Sequence, residues 1–333
     1  MKRRLLASLL AVCMVLTLMS TAFAANSDSS LVVLRFSYSY TNSDGELKKF
    51  SYVDDDCTKP SLNEALEMFA RGTFTIKRRG TEYTAYIDSS QPITIIGVEN
   101  ETINKKVVIT ATEPDNENTG SDALVIYNTN SVTIQTSYKR TGSITFSGGL
   151  EIQSGAKLTL LSGIGGDIAT MNCTFGGDLI VDGTLTVKEE GKDHHVITMN
   201  FGSNSMEIGE EGTVALNNAI IAGSPSGASA LITNNGVLTI TQGLYFGDDD
   251  QPSITATGGP AIQNNGTLDI SCPTAYGDLK ITSNSGPAII VAENATLKLV
   301  SERVTITTEN TDEQAIDLAP GSTVKVDDAT VTV

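Results

Sequence analysis

Two acidic triplets, Asp54-Asp55-Asp56 and Asp248-Asp249-Asp250, a histidine pair, His194-His195, and the run Asn310-Thr311-Asp312 are the places where residue type and spacing could support chemistry. Three adjacent carboxylates offer oxygen ligands to a hard cation such as Ca2+. Neighbours in an extended strand point to opposite faces, so a triplet grips one ion only where the chain bends. Asp248–Asp250 follows Gly247 in a turn, and Ca2+ there is the one cofactor the sequence suggests. The simpler reading of both triplets is a solvated turn. Adjacent histidines meet the same obstacle to sharing one metal, and this pair, the chain's only histidines, lies in the charged stretch 189–195. There is no G-x-S-x-G, no Cys/His constellation at nucleophile spacing and no phosphate loop. No catalytic residue, cofactor-binding residue or metal ligand is therefore assigned.

Residues 1–24 read as an export leader: Lys2-Arg3-Arg4, an apolar run from Leu5 to Met19, then Ala22-Phe23-Ala24 as the cleavage signal. The apolar run is short for a membrane anchor, and lipidation at Cys13 would leave it shorter still. The mature chain is expected to start at Ala25 and to be secreted, extracellular or at the cell surface. Of the 22 Lys+Arg, three leave with the leader, so 19 face 39 Asp+Glu, a net charge of −20. Nucleic acid and anionic membranes need a cationic footprint, so both are disfavoured as partners. No later segment is long and apolar enough to span a membrane. Three cysteines remain, Cys57, Cys173 and Cys272. An odd, widely spaced set is no disulfide framework. Buried small apolar residues are the expected role; the alternative is one disulfide with one free thiol, and the sequence does not choose the pair.

Aromatic and basic residues concentrate early. There is no Trp, and six of nine Tyr precede residue 130. Tyr38, Tyr40 and Tyr52 share one hairpin, with Tyr83 and Tyr86 soon after, and Lys77-Arg78-Arg79, Lys105-Lys106 and Lys139-Arg140 lie in the same third. Residues 201–333 carry 16 acids against four Lys+Arg. An aromatic binding surface, if one exists, is N-terminal; the alternative is that these Tyr pack the fold.

The elements that would position these residues start with a hairpin over 31–53, turning at Asn42-Ser43-Asp44-Gly45. Ser61-Leu62-Asn63-Glu64 is a capping box, Leu62, Ala65, Leu66 and Phe69 form a helical apolar stripe, and Gly72 stops it. Residues 25–72 are thus expected to form a hairpin and a helix capping the fold. Strands follow: Thr73–Lys77, Tyr83–Ile87, Ile93–Val98, Val107–Ala111, Ala123–Tyr127, Val132–Gln135 and Ile144–Phe146, with irregular excursions such as Glu113–Gly120.

From about Gly148 the chain repeats. One strand recurs with its first apolar residue at Leu158, Leu185, Val214, Leu238, Leu268, Leu297 and Val324, spacings of 27, 29, 24, 30, 29 and 27 residues. A small-residue corner precedes it, at Gly155, Gly183, Gly212, Gly236, Gly266, Ala295 with Asn294, and Gly321. Before that comes a second strand, at Leu150-Ile152, Leu179-Val181, Met206-Ile208, Leu231-Ile232, Ala261-Ile262, Ile289-Ile290 and Ile316-Leu318; a third follows, clearest at Ile254, Ile281, Val304-Ile306 and Val331-Val333. Three short strands per turn can close around an axis, each pairing in parallel with its counterpart one turn away at about 4.8 Å. Asn234-Asn235, Asn264-Asn265 and Asn294 then fall at one corner and are expected to stack as an amide ladder.

The three-strand turn, its period, the Asn-Gly corners and the N-terminal helix resemble the right-handed parallel β-helices of the pectate-lyase-like kind, over most of residues 61–333. The fold class expected is all-β: a right-handed parallel β-helix over 73–333 (irregular coils 73–147, regular coils 148–333) behind an N-terminal hairpin and capping α-helix. Left-handed β-helices, with six-residue units, do not fit, and the calcium-binding nonapeptide pattern appears once only, at Gly163–Asp167. A flat sandwich would not require the same phrases every turn. For activity the resemblance implies less. Polygalacturonases of this kind carry Asn-Thr-Asp, Asp-Asp, Gly-His-Gly and Arg-Ile-Lys; this chain has Asn310-Thr311-Asp312 and Asp-Asp pairs, mostly within its acidic triplets, and it lacks the other two.

The expected function is a secreted, non-catalytic β-helix acting as a rigid cell-surface or extracellular binding or adhesion module, for a glycan or a surface protein. The competing expectation is a polysaccharide lyase or glycoside hydrolase. Ala329–Val333 reads as the third strand of a turn, so an open coil end, and with it end-to-end self-association or a chain shorter than its parent, is also expected.

Overall fold

The computed structural model describes residues 32–53, 60–114, 122–136, 141–162, 170–189, 196–226, 229–242, 251–272, 279–301, 304–327 and 331–332. These form a parallel β-solenoid, with three sheets of 13, 9 and 9 strands running along the column and a single α-helix among the described residues. Each coil visits the first, second and third sheet in turn, as in Lys157–Ser162, Met171–Phe175 and Leu179–Val181, before Thr184–Glu189 re-enters the first.

The repeat phased from sequence is the register of the first sheet. Leu158 pairs with Leu185, Leu185 with Val214, Val214 with Leu238, Leu238 with Leu268, Leu268 with Leu297 and Leu297 with Val324. The series continues upstream through Val132 to Ile93. Inward Leu and Ile stack from coil to coil and are buried. Each such side chain removed from water contributes about 1.5–3 kcal/mol. An aromatic column not anticipated from the repeat reinforces the core: Phe146 stacks on Phe175 at 5.5 Å and Phe175 on Phe201 at 4.6 Å between centroids.

In the third sheet the expected phase is one residue early in two coils. Met206 pairs with Ile232 and Ile232 with Ile262, so the strands are Ile232–Asn234 and Ile262–Asn264. Leu231 and Ala261 just before them are buried as well, and two consecutive buried apolar residues leave a period-2 pattern without a phase. The corner glycines are needed chiefly for close approach. A Cβ on Gly266 would lie 2.2 Å from the carbonyl oxygen of Gly236 in the coil beneath. Asn294 meets a corner differently, adopting φ 65° itself, a conformation Asn tolerates better than most residues.

The N-terminal elements close one end of the column. Strands β1 (Val33–Thr41) and β2 (Leu47–Val53) form the expected hairpin, with Gly45 at φ 80°. Helix α1 (Leu62–Arg71) has the expected caps: Ser61 Oγ accepts from Glu64 N, Glu64 Oε2 accepts from Ser61 N at 2.9 Å, and Gly72 closes it at φ 66°. Its apolar stripe, Leu62, Ala65, Leu66 and Phe69 together with Met68, is buried, Phe69 meeting Phe36 of β1 edge to face at 5.3 Å. Strands β3 (Thr73–Arg78) and β4 (Thr81–Ile87) are an antiparallel hairpin, and β4 pairs antiparallel with β1. The column was expected to begin at residue 73; parallel pairing begins at β5 (Ile93–Val98). The reason is the tight turn at Arg79-Gly80, both with positive φ, which folds β4 back on β3 where a coil corner would carry the chain onward.

The first coil is also irregular. Asn100–Ile103, too polar to stand out in the sequence, joins the second sheet. Ala123–Tyr127 then pairs on the outer side of Lys106–Thr110, a step back toward α1 before the chain advances to Val132–Thr136. At the other end of the column nothing comparable is seen among the described residues. Leu318, Val324 and Val326, at inward positions of the last coil, are 48%, 39% and 55% exposed, whereas their register partners Val291, Leu297 and Leu299 are buried.

Candidate functional site

The outward face of the first sheet is continuous with that of the N-terminal sheet, because β1 pairs antiparallel with β5 over Val33–Arg35. Strand alternation puts Arg35, Ser37, Ser39 and Thr41 outward and Leu34, Phe36, Tyr38 and Tyr40 inward. The register then aligns one row straight across four strands: Lys49, Ser39, Tyr86 and Thr73. Tyr86 is 57% exposed. A second row starts at Arg35 and runs down the column through Thr94, Thr133, Thr159 and Thr186. Farther along, the same row becomes charged at Asp269 and Lys298, which pair at 2.9 Å. This is a flat face of hydroxyl groups, with one exposed aromatic ring and cations at its N-terminal end.

Most early aromatics serve the core. Tyr38 and Tyr40 are buried, and both stack on Phe50. Arg78 lies over the Phe50 ring at 5.2 Å and donates from Nη2 to the Tyr38 hydroxyl at 3.2 Å. Burial raises the Tyr38 pKa against the pull of that guanidinium. Of the expected aromatic set, Tyr86 faces solvent. Strands β1–β4 carry Arg35, Lys48, Lys49, Lys77 and Arg78 against one acid, Glu82.

The chemistry-bearing clusters fall in different places. Asp54–Asp56, Cys57, His194-His195, Lys139-Arg140, Asp248–Asp250 and Gly163–Asp167 lie outside the described residues. Asn310 and Asp312 lie in a local turn: Asn310 Oδ1 accepts from Asp312 N at 3.2 Å, and Asn310 Nδ2 donates to Ser285 O at 3.3 Å. A nearby pocket of about 390 Å³ is lined by Thr307, Thr308, Glu313, Gln314, Ala315 and Ile316. Its one carboxylate has no acid or base opposite it in that lining, so it lacks the pair that glycoside chemistry uses. Among the described residues no group of three or more His, Cys, Asp or Glu is placed to hold a metal ion.

The remaining acids and thiols with shifted properties are structural. Burial acts against the charge of Glu151, but the Lys106 ammonium and the Gln153 amide outweigh it and hold the carboxyl below its ordinary range. Burial raises Glu101, the Glu64 charge adds to this, and the N–H of Leu62, donating to Oε1 at 3.4 Å, opposes it. Cys173 and Cys272 are buried, as expected; burial pushes the Cys173 thiol up to about 12, far from a reactive thiolate.

The repeat did not reveal a polar seam at the corner between the first and second sheets. Four residues after each coil's first apolar residue comes Thr136, Ser162, Glu189, Asn218, Gln242 or Cys272. Thr136, Ser162, Asn218 and Gln242 are buried. Asn218 Nδ2 donates to Glu189 Oε1 across one coil, while the Thr136 and Ser162 hydroxyls and both ends of the Gln242 amide have no hydrogen-bond partner among the described residues. In the sequence, His194-His195 and Asp248–Asp250 come soon after the seam positions Glu189 and Gln242. The sequence signal was there, a polar residue at a fixed phase in a strand otherwise apolar inward.

The Asn ladder is present in part. Asn234 Nδ2 donates to Asn264 Oδ1 at 2.7 Å inside the corner, and Asn265 Nδ2 donates to Asn235 Oδ1 at 2.8 Å outside it. Asn294 is not a rung, since Val291 continues the Asn264 column. No protein-family model matches the chain, and no curated protein or solved structure matches it. Among the described residues no helix is long and apolar enough to cross a membrane.

Proposed function

We propose that this protein is a secreted, non-catalytic β-helix of the pectate-lyase-like architectural kind, working outside the cell or at its surface as a rigid binding or adhesion module. Its ligand is an extended glycan or a surface protein, and the outward face of the first sheet is the surface that meets it. The observation carrying this reading is the in-register row Lys49–Ser39–Tyr86–Thr73, with Tyr86 exposed on the same outward face as the separate threonine row that starts at Arg35. A tyrosine face can stack on a sugar ring while its hydroxyl stays wet. Neighbouring hydroxyls supply sequence-tolerant hydrogen bonds, and Lys49 and Arg35 suit a carboxylate or sulfate on the polymer. A straight parallel column holds these groups at fixed spacing, so little entropy is lost when a stiff polymer docks.

The test is a glycan array run beside a reducing-end assay on the mature chain. Binding should appear on extended, anion-bearing glycans and fall about five- to tenfold in Tyr86→Ala. No product should be released. Product release from any glycan would replace this reading with the lyase or hydrolase, and undiminished binding by Tyr86→Ala would move the site elsewhere.

A further inference from the structure

We propose that Arg78 and the aromatic rings around it form a subsite for a single carboxylate carried by a sugar. Strand alternation puts Thr73, Thr75 and Lys77 outward and Phe74, Ile76 and Arg78 on the other side of β3. The subsite is therefore separate from the outward row that holds Tyr86, and it rests on the proposed glycan binding for its choice of ligand.

Arg78 is held in place before any ligand arrives. Its guanidinium carbon lies 5.2 Å from the centroid of the Phe50 ring, and Nη2 donates to the Tyr38 hydroxyl at 3.2 Å. Phe50 in turn stacks on Tyr38 at 5.6 Å and on Tyr40 at 5.7 Å, and Tyr40 meets Tyr83 at 5.2 Å. The face of an aromatic ring attracts a cation, and a fork fixed this way has little rotamer freedom left to lose on binding. Yet Nε is buried with no hydrogen-bond partner. Among the described residues no carboxylate pairs with Arg78; the ion pairs are those of Lys48, Lys77, Lys106 and Lys298. An unmet donor on a charged group costs free energy in the unliganded protein. A carboxylate taking Nε and a neighbouring Nη side by side removes that cost. Arg78 is only part-buried and Phe50 is 37% exposed, so the cluster reaches the surface.

The acids of this region bear on the choice of ligand. Glu46, next to the turn that holds Asp44, is engaged by Lys48 at 2.6 Å. Glu82 meets Lys77 at 3.9 Å, on the outward side of β3. Asp54–Asp56 follow β2 and lie outside the described residues, so they enter the test as a competing occupant. A chain with 39 Asp+Glu against 22 Lys+Arg repels a polyanion at long range. The ligand that suits is a neutral glycan bearing one uronic acid, its carboxylate on Arg78 and its ring against the exposed part of Phe50.

The probe is the disaccharide of glucuronate and glucose, with the disaccharide of two glucoses as its neutral counterpart. Each is titrated into the mature chain and followed by heteronuclear NMR. The acidic disaccharide should bind about tenfold tighter than the neutral one and should move the Arg78 Nε–H signal. Arg78→Lys keeps the charge and loses the fork, and should weaken binding about fivefold, with thermal unfolding showing whether the variant is folded. If it is not, the Nε–H signal of the parent decides. Replacing Asp54, Asp55 and Asp56 together by Asn should leave binding as in the parent. Equal binding of the two disaccharides, an unmoved Nε–H signal, or full binding by folded Arg78→Lys would each overturn the proposal. So would binding that emerges only without Asp54–Asp56, since those acids would then already sit on Arg78. Tyr86→Ala reads the outward face and Arg78→Lys this one, so either reading can fail while the other stands.

Discussion

At its N-terminal end the column is roofed. α1 and the antiparallel strands β1–β4 lie over the first coil, and Leu62, Leu66 and Ile76 are fully buried. At the other end the last described coil has the same inward pattern, yet Leu318, Val324 and Val326 face solvent. The two regions share one rule of construction, apolar in and polar out. They differ in whether anything covers the last layer. A parallel solenoid satisfies each coil from its neighbours, so its ends are where side chains of ordinary core type acquire a different role.

This contrast predicts an order of effects. Leu66→Ala, inside the roof, should cost about 2–5 kcal/mol of unfolding free energy by urea titration, since the helix is held on both sides and the void cannot collapse. A loss well under this range would mean the roof is loosely packed. Asn264→Ala, in mid-column, comes next. It deletes the amide that donates to Thr296 O at 2.9 Å and accepts from Asn234, and should cost about 1–3 kcal/mol; the Asn234 amide is then left with Thr267 O as its acceptor at 2.9 Å.

Glu101 sharpens the comparison through pH. Its carboxyl is raised above the ordinary 4.5 by burial first. The folded chain then holds the proton more tightly than the unfolded chain, so stability falls as pH rises from the ordinary carboxylate value through the raised one. Glu101→Gln keeps an acceptor for Leu62 N and should remove that fall. The variant should match the parent below pH 4.5 and exceed it modestly near neutrality, read from melting temperatures across pH. A parallel offset at every pH would point to packing in place of charge. The smallest effect belongs to the last described coil, where Val326 is exposed. In dilute, monomeric chain, Val326→Thr should change stability by no more than about 0.5 kcal/mol, and a loss comparable with Leu66→Ala would show that this end is covered.

Particular residues mark how far the sequence could be read. The series from Leu158 to Val324 was legible because identical side-chain demands recur wherever coils stack. The capping box at Ser61 was legible because it is a local hydrogen-bond pattern. The phase of Leu231-Ile232 was not, because both residues are buried. Tyr38 and Tyr86 have the same residue type in neighbouring strands, and only strand parity separates them: one faces Phe74 and the other solvent. The start of the column was misplaced at residue 73 because an antiparallel hairpin and a parallel coil use the same alternation within each strand.

The sequence by itself determined the solenoid, its period, its inward column and the helix at Ser61, because these rest on contacts that repeat or lie within one turn of chain. Tertiary structure alone decided that the outward row of Arg35 and the threonines is one continuous face, that β2 runs with the later strands, and that α1 and β1–β4 roof the first coil. These depend on which edges meet across distances in the chain that no local pattern encodes, and on pairing direction, which alternation of side chains does not carry.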